Sequence, residues 1–252
     1  MSKSYLQIDS NLANDIRLIM TDVDGTITDL AGHIESIAEE AIRASLVRGI
    51  TVGFVSGRTL PRLEAPARDI GVNGPIIGEN GGIAKMRPGE ALLNLGYSRE
   101  PALRDLECLK KAYPGAIEPT EDDVDRLVDV GFKAPGVDTV ELRKHIKESE
   151  LLDSGYMLHL LQKGVSKGGT LKRILDRIGS GLSIGQVMVF GDSLTDITLF
   201  DMFPHSVFIR NNRLSDADRS AMEEAAEYAS ELEFGAGFAQ VAEHILRLRD
   251  KS

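Results

Sequence analysis

The sequence predicts an α/β protein: a doubly wound parallel-sheet core with a smaller α+β domain inserted into it. Three observations lead there. Short apolar runs bounded by turn residues alternate with longer segments of helical period, as βαβ units require. Between residues 83 and 161 the character changes to the apolar–polar alternation of half-exposed antiparallel strands. The first rhythm then resumes, so residues 1–82 and 162–252 are expected to form the core and 83–161 the insert.

The first apolar run is "IRLIM" (16–20), and it stops abruptly at two acids, Asp22 and Asp24. The segment "IESIAEEAIRASLVRG" (34–49) sets Ile34, Ile37, Ala38, Ala41, Ile42, Ser45 and Leu46 on one helical face and closes at Gly49, a C-cap residue. "ITVGFVS" (50–56) reads as a buried strand, and "LPRLEAPARDIG" (60–71) as a helix that Pro66 should kink or shorten. "PIIG" (75–78) supplies a third strand. In the insert, 91–97, 125–134 and 155–162 read as strands, and 100–113 and 138–149 as amphipathic helices. Afterwards come a helix over 168–179, a strand over 186–191, a short helix from Leu194, a strand over 206–210 and an acidic helix over 216–229.

Composition narrows the function. A net charge of −10 argues against a binder of nucleic acid, whose affinity comes from Lys and Arg neutralising phosphates. The lone Cys108 fits a reducing compartment, and neither an apolar signal segment nor eighteen consecutive apolar residues occur. The expectation is a cytoplasmic protein with no membrane partner. Whether it is a monomer or a homodimer is open.

A parallel sheet binds its ligand beyond the carboxyl ends of its strands. There stand Asp22 and Asp24 after the first strand, Ser56-Gly57-Arg58 after the second, and Asp192 with Asp196 after "QVMVF"; Lys167 precedes a helix. Carboxylates gathered at one sheet edge repel unless a cation neutralises them, and Mg²⁺ suits hard oxygen ligands plus a substrate phosphate. A carboxylate can then attack phosphorus, a hydroxyl and free N–H groups can hold its oxygens, and a lysine can offset the charge. A calcium loop starting at Asp22 fails on spacing, because its sixth position is Ile27 rather than Gly and its twelfth is His33 rather than Glu.

These residues resemble the haloacid dehalogenase-type phosphatases, with the first motif as Asp22-Val23-Asp24-Gly25-Thr26, the second at Ser56, the third at Lys167 and the fourth as Gly191-Asp192-Ser193-Leu194-Thr195-Asp196. The insert, "GENGG" (78–82), "VSKGGTLKRIL" (165–175), "RNN" (210–212) and the closing stretch 227–246 are similar to the subgroup of Cof-type, sucrose-phosphate and archaeal phosphoglycolate phosphatases. Only the first fifteen residues stand outside the resemblance.

The resemblance implies a core with an α+β cap, a Mg²⁺ cofactor, and a small phosphorylated metabolite such as phosphoglycolate or a sugar phosphate. By it Asp22 is nucleophile and metal ligand, Asp24 the acid/base and a ligand through its carbonyl, and Lys167 the charge stabiliser. Asp192 binds metal, and Asp196 orients a metal-bound water or Lys167. Ser56, Gly57, Arg58 and Asn80 are the substrate-binding candidates. Thr195 departs from the Asn of many relatives. A phosphomutase of the same fold and a non-catalytic phosphometabolite-binding protein are the alternatives.

Overall fold

The computed structural model describes residues 2–178 and 181–250; the end of the helix expected over 168–179 falls at Gly179, outside the described residues. In chain order the first half comprises β1 (Lys3–Ser4), α1 (Ser10–Asp15), β2 (Leu18–Thr21), α2 (Ser36–Val47), β3 (Thr51–Val55), α3 (Leu60–Ile70), β4 (Ile76–Gly78) and β5 (Ile83–Lys85). The insert carries α4 (Glu100–Ala112), β6 (Glu118–Pro119), β7 (Val130–Lys133), α5 (Thr139–Arg143), β8 (Ser149–Asp153) and β9 (Leu158–Gln162). The chain closes with α6 (Lys167–Ile178), β10 (Val187–Gly191), α7 (Ile197–Met202), β11 (His205–Arg210), α8 (Asp216–Ala225), β12 (Tyr228–Glu233) and α9 (Phe234–Arg249).

The large sheet runs β1-β12-β11-β10-β2-β3-β4-β5. Its pairings are parallel except that of β5 with β4. All four residues of β2 are buried, because helices cover both faces. Leu18 and Met20 pack with Leu171 and Ile174 of α6 and Phe200 of α7, whereas Ile19 packs with Ile42 of α2 and Phe238 of α9. Each such buried side chain contributes roughly 1.5–3 kcal/mol. The chain crosses from one side of β2 to the other, onto β3 and onto β10, and the crevice opens at that switch point.

The smaller sheet, β6-β7-β9-β8, is antiparallel and two-faced. Val130, Phe132, Leu151, Leu158 and Leu160 pack against Leu106 and Leu109 of α4 and Leu142 of α5. The other face turns toward the core.

Several expectations need correction. Residues 91–97 form no strand: Leu92 makes one bridge to Lys85, and Leu95 packs into the core beside α6. The helix expected over 138–149 is confined to α5, and its last residue opens β8. The acidic helix ends at Ala225, and Tyr228–Glu233 is a strand instead. Pro66 does not shorten α3, which runs through it to Ile70. Gly49 does end its helix as expected, at φ +77° with its N–H on the Leu46 carbonyl.

Candidate active site

Asp22 follows β2 directly, and its backbone N–H is held by the Phe190 carbonyl of β10, so the loops after these two strands are tied together. Lys167, the first residue of α6, reaches between them. Its Nζ donates to Asp22 Oδ1 at 2.6 Å, to Asp196 Oδ1 at 2.7 Å and to Thr195 Oγ1 at 3.1 Å. The hydroxyl at position 195 thus takes part in holding the lysine.

The remaining oxygens are nearly all engaged. Thr26 Oγ1 donates to Asp192 Oδ1 at 3.0 Å and lies 3.4 Å from Asp22 Oδ2, while Asn211 Nδ2 donates to Asp192 Oδ2 at 2.6 Å. Asp196 Oδ2 accepts the N–H groups of Asp192 and Ser193, both at 3.1 Å. Gly25, at φ +85°, turns the chain away from the strand under Asp192.

Burial dominates the electrostatics. It works with Asp196, Asp192 and Asp24, and against Lys167, to hold the Asp22 carboxyl well above the usual carboxylate range. Burial and the neighbouring Asp196 push Asp192 up to about 7. Burial opposes the charge on Lys167, yet Asp196 and Asp22 outweigh it and raise the ammonium above its ordinary range.

One ammonium among Asp22, Asp192 and Asp196, whose oxygens lie within 4.8 Å of one another, leaves negative charge uncompensated. These donors fit a hard divalent cation. The least committed of these oxygens is Asp22 Oδ2, whose one contact is the Thr26 hydroxyl at 3.4 Å, whereas both oxygens of Asp192 and of Asp196 accept hydrogen bonds of 3.1 Å or shorter.

On the opposite wall, Arg58 grips Asp24 through Nε at 2.9 and 3.1 Å and through Nη2 at 2.6 Å. Ser56 Oγ accepts the Arg58 N–H at 3.1 Å and lies 3.4 Å from Asp24 Oδ2. Asn80 donates its backbone N–H to the Ser56 carbonyl, and Asn80 and Glu79 both hold left-handed backbone, at φ +53° and +50°. Asp22, Asp24, Gly57, Arg58, Asn80, Lys167 and Asp192 line one open cavity of about 1310 Å³ beneath the small sheet. Ser56 and Asp196 sit just behind that lining, fully buried.

Sequence reasoning placed Asn211 and Glu79 inside the matching stretches 210–212 and 78–82 but gave neither a role in the site. Asn211 follows β11 as Asp192 follows β10, so the strand-end rule that found the acids finds it too. Glu79, buried next to Asn80, sends its carboxylate into the insert, where it accepts the N–H groups of Leu127, Val128 and Asp129 at 2.7–3.0 Å.

The family model described as haloacid dehalogenase-like hydrolase matches residues 19–129 and 118–217. A phosphoglycolate phosphatase of Methanoculleus marisnigri is 32% identical over 231 residues, spanning 89% of this chain and 94% of its own. One of Thermoplasma volcanium is 32% identical over 189 residues, 74% of this chain and 82% of its own. A crystal structure of a Thermoplasma acidophilum protein, 26% identical, superposes with a TM-score of 0.79 over 92% of this chain and 99% of that one.

Proposed function

The chain belongs to the haloacid dehalogenase-like hydrolases, and from that membership and the site geometry we propose that it is a Mg²⁺-dependent phosphatase acting on a small phosphomonoester through an aspartyl-phosphate. Phosphoglycolate is the substrate this reading favours, since relatives sharing about a third of the sequence carry that name. The observation that carries the proposal is Lys167 bridging Asp22 and Asp196 at 2.6 and 2.7 Å at the floor of an open cavity.

Asp22 attacks phosphorus; Lys167 holds Oδ1, which leaves Oδ2 as the attacking oxygen. Lys167 also offsets charge on the phosphoryl oxygens. Ser56 and the amides of the following turn hold those oxygens, with Gly57 and Asn80 shaping the wall. Asp24, aimed by Arg58, protonates the leaving oxygen and then takes a proton from the water that opens the aspartyl-phosphate. Asp22 and Asp192 hold the cation together with the Asp24 carbonyl, and Asp196 orients Lys167. Mg²⁺, when bound, neutralises the excess carboxylate charge and polarises the phosphoryl group.

The insert from α4 to β9 serves as a cap that excludes bulk water and selects the leaving group, while β5 at 83–85, expected within the insert, belongs to the core sheet. A cytoplasmic setting agrees with this chemistry; among the described residues no helix is long and apolar enough to cross a membrane.

The test is phosphate release from a panel of phosphomonoesters with and without Mg²⁺, for the wild type and Asp22→Asn. Mg²⁺-dependent turnover of the wild type, lost in the variant, is expected. Comparable turnover in Asp22→Asn would remove the nucleophile assignment.

A further inference from the structure

The cap face that looks into the cavity carries a buried polar cluster that the chemistry above does not use. Strand alternation sends Val130, Phe132, Leu158 and Leu160 into the cap's apolar core, so Gly131 and Lys133 of β7, Asp129 just before it and His159 on β9 belong to the opposite face. His159 and Arg126 line the cavity that also holds Asp22 and Asp24.

Asp129 and His159 are fully buried, and Asp129 Oδ2 accepts from Arg126 Nη1 at 2.6 Å and from His159 Nδ1 at 2.7 Å. With Nδ1 committed to the carboxylate, Nε2 is the free position of the ring, and it has no hydrogen-bond partner. Arg126 Nε is likewise buried and unpartnered. Three of the four such side-chain atoms among the described residues, these two and Asp129 Oδ1, fall in this one cluster. A buried donor left without a partner destabilises the fold, and a bound acceptor removes that cost.

Gly131 is the register partner of His159, and a Cβ there would lie 2.5 Å from Met157 Cε and 3.0 Å from Arg126 Nε. Only glycine leaves room for the guanidinium to lie across the strand beside His159. The cluster is also tied to the phosphoryl end of the cavity, because Arg126 Nη1 donates to the Gly57 carbonyl at 3.1 Å. A short path of three hydrogen bonds, His159 to Asp129 to Arg126 to Gly57, therefore joins the roof to the Ser56-Gly57-Arg58 turn.

Arg126 Nε can only donate, so the ligand that satisfies it is an acceptor, and one with two oxygens can satisfy His159 Nε2 as well. We infer that His159 Nε2, with Arg126 Nε beside it, receives the carboxylate at the far end of the substrate, which makes His159 a specificity-determining residue for small carboxylate-bearing phosphomonoesters. The inference rests on the phosphatase reading. His159 then stands between two carboxylates, Asp129's at Nδ1 and the substrate's at Nε2. Arg126, anchored by Asp129 and by Asp122 at 2.9 Å, fixes the position of the pair.

The experiment compares kcat/KM for phosphoglycolate and for ethyl phosphate, which differ by the carboxylate, in the wild type, His159→Leu and His159→Gln. The wild type should prefer phosphoglycolate by at least about 100-fold, since a site built to bind a polar group rejects the analogue lacking it. His159→Leu should cut that ratio at least tenfold, and His159→Gln, which keeps one N–H, should restore part of it; if the leucine variant does not fold, the glutamine variant still reports a fall. A wild-type ratio near one overturns the carboxylate. A large ratio unchanged in both variants overturns the role of His159. Failure of the wild type to release phosphate from any ester overturns the phosphatase reading instead.

Discussion

Gly25 lies so close beneath Asp192 that a β-carbon at position 25 would fall 2.4 Å from Asp192 Oδ2. The glycine also sits at φ +85°, which an L side chain occupies only at a cost of about 1–2 kcal/mol. The turn and the seat of the Asp192 carboxylate are therefore built on the same absent side chain. Gly25→Ala should displace Asp192, reduce phosphate release at least about 100-fold and lower the unfolding midpoint, with overpacking adding ~1–3 kcal/mol. Activity above a tenth of wild type would show that the crowding is harmless.

Asp24 is held by a two-nitrogen clasp from Arg58, its contacts at 2.6–3.1 Å, and is itself about a third exposed. Asp24→Asn keeps the shape of the side chain and removes its proton transfer, so both leaving-group departure and hydrolysis of the covalent intermediate should slow. A fall of about 10²–10⁴-fold in kcat is expected, with unfolding little changed. Single-turnover and steady-state rates equal to wild type would strip Asp24 of the acid/base role.

Glu79 ties the core to the cap by accepting the N–H groups of Leu127, Val128 and Asp129. Glu79→Ala leaves these amides without a partner, each worth ~1–3 kcal/mol if no water reaches it. Urea unfolding should report a loss of about 3 kcal/mol or more. A loss under about 1 kcal/mol would mean that the cap holds its position without this carboxylate.

Asp192, pushed by burial from the ordinary 3.8 up to about 7, and Asp22, raised the same way, bind protons in the native state that the unfolded chain has released. The contribution of Asp192 to stability is complete below 3.8 and is lost as pH rises through about 7, and that of Asp22 also falls with rising pH. Without a divalent cation the unfolding temperature should carry a term that falls between pH 5 and pH 8. Mg²⁺ should raise that temperature more at pH 8 than at pH 5, and Asp192→Asn should abolish most of the difference. A Mg²⁺ shift equal at both pH values would contradict the assignment of these acids to the cation site.

The acids of the site were legible because Asp22 and Asp192 end apolar runs, with Asp24 and Asp196 two and four positions behind them. Lys167 was legible from its place before Gly168-Gly169, where a Cβ at 168 would meet the Thr198 carbonyl at 1.9 Å, so Gly168 serves the approach of α6 to α7. Glu79 was not, since its partners are backbone amides some fifty positions away and every residue has an N–H. His159 is a polar residue among leucines in the sequence, but the carboxylate and guanidinium beside it arrive from residues 129 and 126 only after the cap folds. β12 escaped because "YASELE" is half polar, and its strand state is imposed by parallel neighbours on both sides.

One of those neighbours is β1, two residues from the segment that lies outside the family resemblance. Lys3 and Ser4 pair with Tyr228 and Ala229, α1 packs on α9, and Arg249 Nη1 donates to the carbonyls of Ala13 and Ile16 at 2.9 Å. Stripped of this short strand, β12 would present a bare ladder of amides and carbonyls to any other copy of the chain. With it in place, the outermost position belongs to an exposed lysine whose charge discourages further pairing. The opening residues thus act as an edge guard, and trimming them would be felt first as self-association rather than as lost catalysis.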